Sequence, residues 1–204
     1  MNPELNQIQV TGTTRSTFLV RSALAAGAVY GTSAVTPFVS RALAQGGDED
    51  ILQFALTLEY LEQAFYSKGL RTVSGLSGDT KKLATEIRDN ETAHVDALTK
   101  AIKSVGGKPV AAPEVDFGDA YKSEKGFLKL AQVFEDTGVS AYNRAGPAIS
   151  SPEILAAAGS IVQIEARHAA LIRLANGDSP APDAFDKALE KDAVLKAVMP
   201  FIKG

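Results

Sequence analysis

Residues 151–176 read SPEILAAAGSIVQIEARHAALIRLAN, and this stretch decides the fold that we expect. It opens on a serine followed by a proline and closes on Asn176-Gly177, which are signals that begin and end an α-helix. Residues spaced three or four apart form one stripe of this helix: Ala158, Ile161, Glu165, His168, Ile172 and Ala175. Such a stripe is typical of the inward face of a bundle helix, yet an acid and a histidine occupy its centre.

Residues 80–105 repeat this arrangement. Their inward stripe consists of Leu83, Ile87, Glu91, His94, Leu98 and Ile102. Both histidines of the chain therefore stand one turn after a glutamate on an apolar seam. Glu-x-x-His alone is a weak motif, and two solvated pairs are the plain alternative. The position of the pairs argues against it, because a carboxylate on a buried face needs a compensating charge.

The other two helical segments each hold a glutamate seven residues before a tyrosine, Glu59 with Tyr66 and Glu135 with Tyr142. These two pairs are 76 residues apart, and the two Glu-x-x-His motifs are 74 apart. The chain thus repeats a Glu helix followed by a Glu-x-x-His helix. Glu59 and Glu91 both lie ~15 Å from the turn that joins their helices, so the acids and histidines are expected to meet at mid-bundle.

The sequence predicts an all-α fold of four helices, at about residues 48–69, 80–105, 124–145 and 151–176. No segment alternates polar and apolar residues for long, so strands are not expected. Short connections make each pair an antiparallel hairpin. The link 106–123 is long enough, at ~59 Å, to cross the ~39 Å length of the second helix. We therefore expect one long crossover, with a disordered linker as the alternative, and a short amphipathic segment from 183 to 202.

Carboxylates and imidazoles together are the ligands of iron, manganese or zinc rather than of soft metals. Four clustered carboxylates carry four negative charges, which two divalent ions neutralise. The sequence therefore predicts a two-metal carboxylate centre.

The composition excludes several other classes of function. The chain has 204 residues, with 21 basic and 24 acidic side chains and no cysteine. The charge balance gives nucleic-acid binding little electrostatic support. The absence of cysteine excludes disulfide scaffolds, thiolate metal sites and thiol nucleophiles.

Residues 1–44 are interpreted as a signal peptide that precedes a domain at 45–204. An apolar segment rich in alanine and glycine leads to Ala42-Leu43-Ala44, a small-x-small cleavage pattern. An uncleaved anchor and an ordinary N-terminal helix are the alternatives. The motif around Arg15 resembles the twin-arginine export signal, but Ser16 replaces the second arginine, which leaves the export route open. We expect an exported protein, periplasmic or extracellular, without a membrane span after cleavage.

These patterns resemble the ferritin-like superfamily, whose four-helix bundles hold one Glu from each of two helices and Glu-x-x-His from the other two. The segments FALTLEYLEQAFY (54–66) and APDAFDKALEKDAVLKAVMPF (181–201) resemble, more narrowly, an exported bacterial ferritin-like domain family related to plant desiccation-related proteins. The resemblance covers about residues 48–202.

The resemblance implies a set of metal ligands, which are Glu59, Glu91, His94, Glu135, Glu165 and His168. In the superfamily the Glu of each Glu-x-x-His usually bridges the ions, which assigns that role to Glu91 and Glu165. Many relatives place an aspartate directly before each Glu-x-x-His, where it orients the other histidine. Asn90 and Ile164 stand at these positions, so the groups around the ligands must differ.

Two further features remain open at this stage. Glu62 rivals Glu59 as a ligand, or adds a carboxylate in the space that its repeat counterpart Gly138 leaves free. Tyr66 and Tyr142 tilt toward the metal level and are expected either to hydrogen-bond the carboxylate of the opposite hairpin or to pack as plain core aromatics.

Three functions fit these features. A di-iron or di-manganese centre that reacts with O2 or peroxide would have ferroxidase, peroxidase-like or catalase-like activity. A non-catalytic metal-binding or stress- and desiccation-related bundle is the second candidate, and a metal-free bundle used for assembly is the third. The sequence does not set the native metal, the substrate or whether the bundle forms a homo-oligomer.

Overall fold

The computed structural model describes residues 47–203, and the predicted signal peptide lies outside them. The described residues form five α-helices, which are α1 Asp48–Thr72, α2 Gly78–Ser104, α3 Glu124–Ala145, α4 Pro152–Asn176 and α5 Lys191–Val198. Short 3-10 turns occur at Gly118–Lys122, Gly146–Ala148 and Met199–Phe201. No strand occurs within 47–203. The prediction of an all-α bundle with a long crossover and a short C-terminal helical segment is confirmed.

Serine caps begin three of the four long helices. The side chains of Ser77, Ser123 and Ser151 each accept a hydrogen bond from the backbone N–H three residues further on. This satisfies one of the N–H groups that a helix start leaves without a partner. Gly177 closes α4 with a φ of 82°, in the left-handed region that favours glycine.

The prediction that the first helix ends at Gly69 is wrong, because α1 continues to Thr72. Gly69 lies inside the helix, where a Cβ atom would collide with the ring of Phe127. Glycine is therefore present at this position for close packing between α1 and α3, and the connection to α2 shortens to residues 73–77.

The crossover between α2 and α3 is tied to the end of the chain. The backbone N–H of Asp116 donates to the carbonyl of Phe201 at 2.9 Å, and that of Lys203 donates to the carbonyl of Glu114 at 2.8 Å. Val115 and Ile202 form an isolated antiparallel bridge between these two bonds. These contacts show an ordered crossover rather than a disordered linker.

The C-terminal helix is shorter than the amphipathic pattern from 183 indicates. α5 begins only at Lys191, and Phe185 before it is 88% exposed. Val194 and Val198 are buried against the bundle, so only the second half of the pattern contributes to the core.

The buried apolar residues divide into two clusters, at opposite ends of the bundle. We name the first the aromatic end, after the rings of Phe65, Phe117, Tyr121, Phe127, Phe134 and Phe201. We name the second the alanine end, after the small residues Ala55, Ala101 and Ala158 that pack against it. The layer that separates the two ends consists of charged side chains. Among the described helices, none is long and apolar enough to cross a membrane.

Candidate metal centre

The layer between the two ends brings together all six predicted ligands, which come from four helices. α1 supplies Glu59, α2 supplies Glu91 and His94, α3 supplies Glu135, and α4 supplies Glu165 and His168. The four glutamates are 0% exposed, whereas His94 is 8% and His168 3% exposed. The cluster is thus shielded from solvent, and His94 is its most accessible member.

The six residues form two overlapping groups, in each of which the candidate ligand atoms lie within 4.8 Å of one another. The first group contains Glu59, Glu91, His94 and Glu165, and the second contains Glu91, Glu135, Glu165 and His168. Glu91 and Glu165 belong to both groups.

The contacts within the first group converge on Nδ1 of His94. This atom lies 3.0 Å from Glu165 Oε1 and 3.1 Å from both Glu59 Oε2 and Glu91 Oε2. In the second group, Nδ1 of His168 lies 2.9 Å from Glu91 Oε1 and 3.3 Å from Glu135 Oε2. Each histidine therefore presents the same nitrogen to the carboxylates.

Several atoms of this cluster are buried without a hydrogen-bond partner among the described residues. They are Glu62 Oε2, Glu91 Oε1, Glu135 Oε2, both carboxylate oxygens of Glu165, and His168 Nδ1. A buried carboxylate oxygen without a partner is costly, so a compensating charge is needed. Carboxylate oxygens and imidazole nitrogens that converge in this way fit divalent iron, manganese or zinc.

Protons provide that compensation when no metal is present. Burial, reinforced by the charges of neighbouring acids, raises the pKa values of Glu91 and Glu165 well above the usual range. Burial alone would lower the pKa of His94, but the carboxylates of Glu165, Glu59 and Glu91 around its Nδ1 raise it to about 12. A metal ion bound here would therefore compete with protons for these carboxylate oxygens and imidazole nitrogens.

Two tyrosines connect the hairpins through the outer carboxylates. The hydroxyl of Tyr142 on α3 donates to Glu59 Oε1 at 2.6 Å, and that of Tyr66 on α1 donates to Glu135 Oε1. Burial and the adjacent carboxylates raise the pKa of both phenols well above 10, so both remain hydrogen-bond donors. Each bond leaves the second oxygen of its carboxylate facing the histidine of its own group.

Glu62 lies beside the two ligand groups and not within them. Its side chain occupies the space at Gly138, where an added Cβ would be 3.1 Å from Glu62 Oε1 and 3.0 Å from Glu165 Oε2. Burial and repulsion from Glu165 raise the pKa of Glu62 well above the usual range. The structure thus places Glu59 in a ligand group and Glu62 next to the shared Glu165.

Sequence reasoning missed the contact that Asn90 makes. Its side-chain amide lies 3.0 Å from Nε2 of His168, on the side of the ring that faces away from the carboxylates. The signal was its position directly before Glu91, where relatives carry an aspartate. Ile164 occupies the matching position in the second half and offers His94 no polar group.

Comparisons with known proteins agree with this architecture. The chain belongs to the ferritin-like domain family, which it matches over residues 47–178. Its fold is similar to that of a conserved hypothetical protein from Mycobacterium tuberculosis, with a TM-score of 0.57 and 16% sequence identity; the match covers 72% of this chain and 99% of that one. At this identity the likeness shows the fold alone. No curated protein matches the chain. Membership of the narrower exported family stays a prediction.

Proposed function

We propose that this ferritin-like protein holds two divalent ions, iron or manganese, in a carboxylate-bridged centre that performs redox chemistry with O2 or peroxide. The observation that carries the proposal is the pair of ligand groups that share Glu91 and Glu165. The buried oxygens without partners support it, because four clustered carboxylates need about four positive charges to offset them.

The geometry suggests how the ligands divide between the ions. Glu59 and His94 would bind one ion, Glu135 and His168 would bind the other, and Glu91 and Glu165 would contact both. Zinc fits the same donors, but it has no redox activity and would leave a purely binding protein.

When bound, a pair of such ions would supply the two electrons that, with two protons, reduce O2 to H2O2 or H2O2 to two waters. The protein's own residues prepare the site for this chemistry. Tyr66 and Tyr142 hold the outer carboxylates in place. The apolar clusters on both sides exclude bulk water, and this strengthens electrostatic interactions within the layer. Ferroxidase, peroxidase-like and catalase-like activities all use this arrangement.

A non-catalytic role in metal binding or in a stress or desiccation response is the second candidate. The observation that favours it is the near-complete burial of all six ligands, which suits retention of metal as well as catalysis. Oxidation of Fe(II) by O2 or H2O2 distinguishes the two roles. Repeated turnover supports the enzyme, whereas two firmly bound ions without turnover support the binding protein.

Metal content tests the centre itself. Protein purified from its own host should contain about two iron or manganese ions per chain by elemental analysis. Glu91→Gln should lose both ions because this residue belongs to both groups, while Glu86→Gln, an exposed acid on the same helix, should keep them. If Glu91→Gln binds as much metal as its parent protein, the proposed centre is wrong.

Export is a separate proposal, supported only by the sequence of residues 1–44. Mass spectrometry of the protein from its host should find an N-terminus at Gln45. A full-length chain recovered from the cytoplasm would contradict it.

A further inference from the structure

An apolar cavity of ≈ 50 Å³ lies within the alanine end of the bundle, lined by residues from all four long helices. Its wall contains no charged side chain, and seven of its sixteen residues are alanine. The alanines occupy less space than the Leu, Ile, Phe and Tyr side chains that complete the wall. A cavity that holds one water needs only about 10–15 Å³, so this one has room for a small molecule.

The lining of the cavity includes exposed residues and a side chain that contacts the layer of acids and histidines. Ala97 on α2 and Ala157 on α4 line it and are exposed. Tyr142 forms part of its inner wall, and the hydroxyl of this residue is bonded to Glu59 of the metal layer. Leu98 and Ile161, also in the wall, stand one helical turn from His94 and Glu165.

We propose that this cavity admits O2 to the metal centre and discriminates against H2O2; the inference rests on the proposed function. O2 is small and apolar and loses no hydrogen bonds when it leaves water. H2O2 has two O–H donors and several lone pairs, and the wall offers almost nothing to pair with them. The cavity thus selects the oxidant by the cost of desolvation, so O2 rather than peroxide is the substrate of the centre.

Xenon tests the cavity without reference to redox activity, since dry apolar cavities bind it. In the full protein under xenon pressure, the methyl NMR signals of Leu98, Ile154 and Ile161 should shift. Ala158→Leu and, independently, Ala101→Leu fill the space and should abolish these shifts. Ala156→Leu is the matched control, because Ala156 is exposed on the same helix as Ala158 but does not line the cavity.

Kinetics of the Fe(II)-loaded protein test the selection. Filling the cavity should lower kcat/KM for O2 about tenfold, equal to about 1.4 kcal/mol on the barrier. kcat/KM for H2O2 should change by less than a factor of about two, which corresponds to less than about 0.5 kcal/mol on the barrier. The Ala156→Leu control should match the parent with both oxidants.

The outcomes separate the two proposals. The proposed role of the cavity is wrong if xenon shifts are absent or spread over the whole protein. It is also wrong if filling the cavity lowers kcat/KM equally for both oxidants. Neither result contradicts the proposed redox centre. Localised xenon binding without Fe(II) oxidation by either oxidant overturns the proposed function, and with it the assignment of O2.

Discussion

The two ends of the bundle are built from the same four helices but packed in opposite ways. At the aromatic end, Phe65 stacks on Phe127 at 4.9 Å and meets Phe134 edge to face at 5.1 Å. The crossover and α5 cover this end through Phe117 and Val198. At the alanine end, seven alanines and several larger apolar side chains surround a cavity. The contrast sets a tightly packed end against one that leaves open space beside the charged layer.

The largest expected effect comes from the aromatic end. Phe65→Ala should lower the free energy of unfolding by about 3–5 kcal/mol, since the ring is fully buried among five others. Leu52→Ala in the cavity wall should cost only about 2 kcal/mol, because fewer atoms surround it. Urea unfolding of both variants in metal-free form measures the difference. Equal losses would show that the alanine end stabilises the bundle as much as the aromatic end.

Metal removal should have the next largest effect, because the charged layer joins the two ends. Ions present at about 100 times their Kd should stabilise the fold by about 2.7 kcal/mol, seen as a higher Tm. The raised pKa values of Glu91 and Glu165 mean that protons compete with the ions for these atoms. The stabilisation should therefore shrink as the pH falls from 8 to 5. A metal effect on Tm that grows on acidification would contradict this competition.

Much of this layer could be predicted from the sequence, because charged residues on an apolar seam have few explanations. The stripes on α2 and α4, with the repeated Glu59 and Glu135, placed four acids and two histidines in one layer, and the length of 106–123 allowed the crossover. Gly69 was misread, since a glycine that ends a helix and one that admits a neighbouring ring look alike without the partner Phe127. The cavity could not be predicted either, because an alanine on an inward face indicates open space only when the facing residues are known.

Substitution of the two tyrosines in the charged layer compares the packing of the two ends. Tyr66→Phe and Tyr142→Phe each leave a carboxylate oxygen without its phenol donor, a loss of about 2 kcal/mol in stability. Tyr66 packs edge to face on Phe65 and Phe127, so water cannot replace its hydroxyl. Tyr142 borders the cavity, whose open space lets neighbouring side chains shift and relieve part of this cost. Thermal unfolding should therefore show the larger loss for Tyr66→Phe, and the reverse order would argue that the aromatic end is not sealed.

The smallest predicted effect concerns two glycines. Gly138→Ala should destabilise the protein by about 1 kcal/mol, because its Cβ would crowd Glu62 and Glu165. Gly159→Ala on α4, where a Cβ meets nothing within 4 Å, should instead stabilise it by about 0.4–1 kcal/mol. Chemical denaturation gives both values. A stabilising Gly138→Ala would show that the layer tolerates a further side chain.

The contact between Asn90 and His168 has a consequence for the order in which ions would be loaded. Asn90 holds the far nitrogen of His168, whereas Ile164 leaves that of His94 without such a partner. The two positions are therefore inequivalent despite the internal repeat, because the ring of His168 is held on both sides and that of His94 only on the side of the carboxylates. The position at His168 should fill first and exchange slowly, and the position at His94 should exchange faster. Such a pair accommodates two different elements, so mixed occupancy is the state to look for in metal analysis of a single chain.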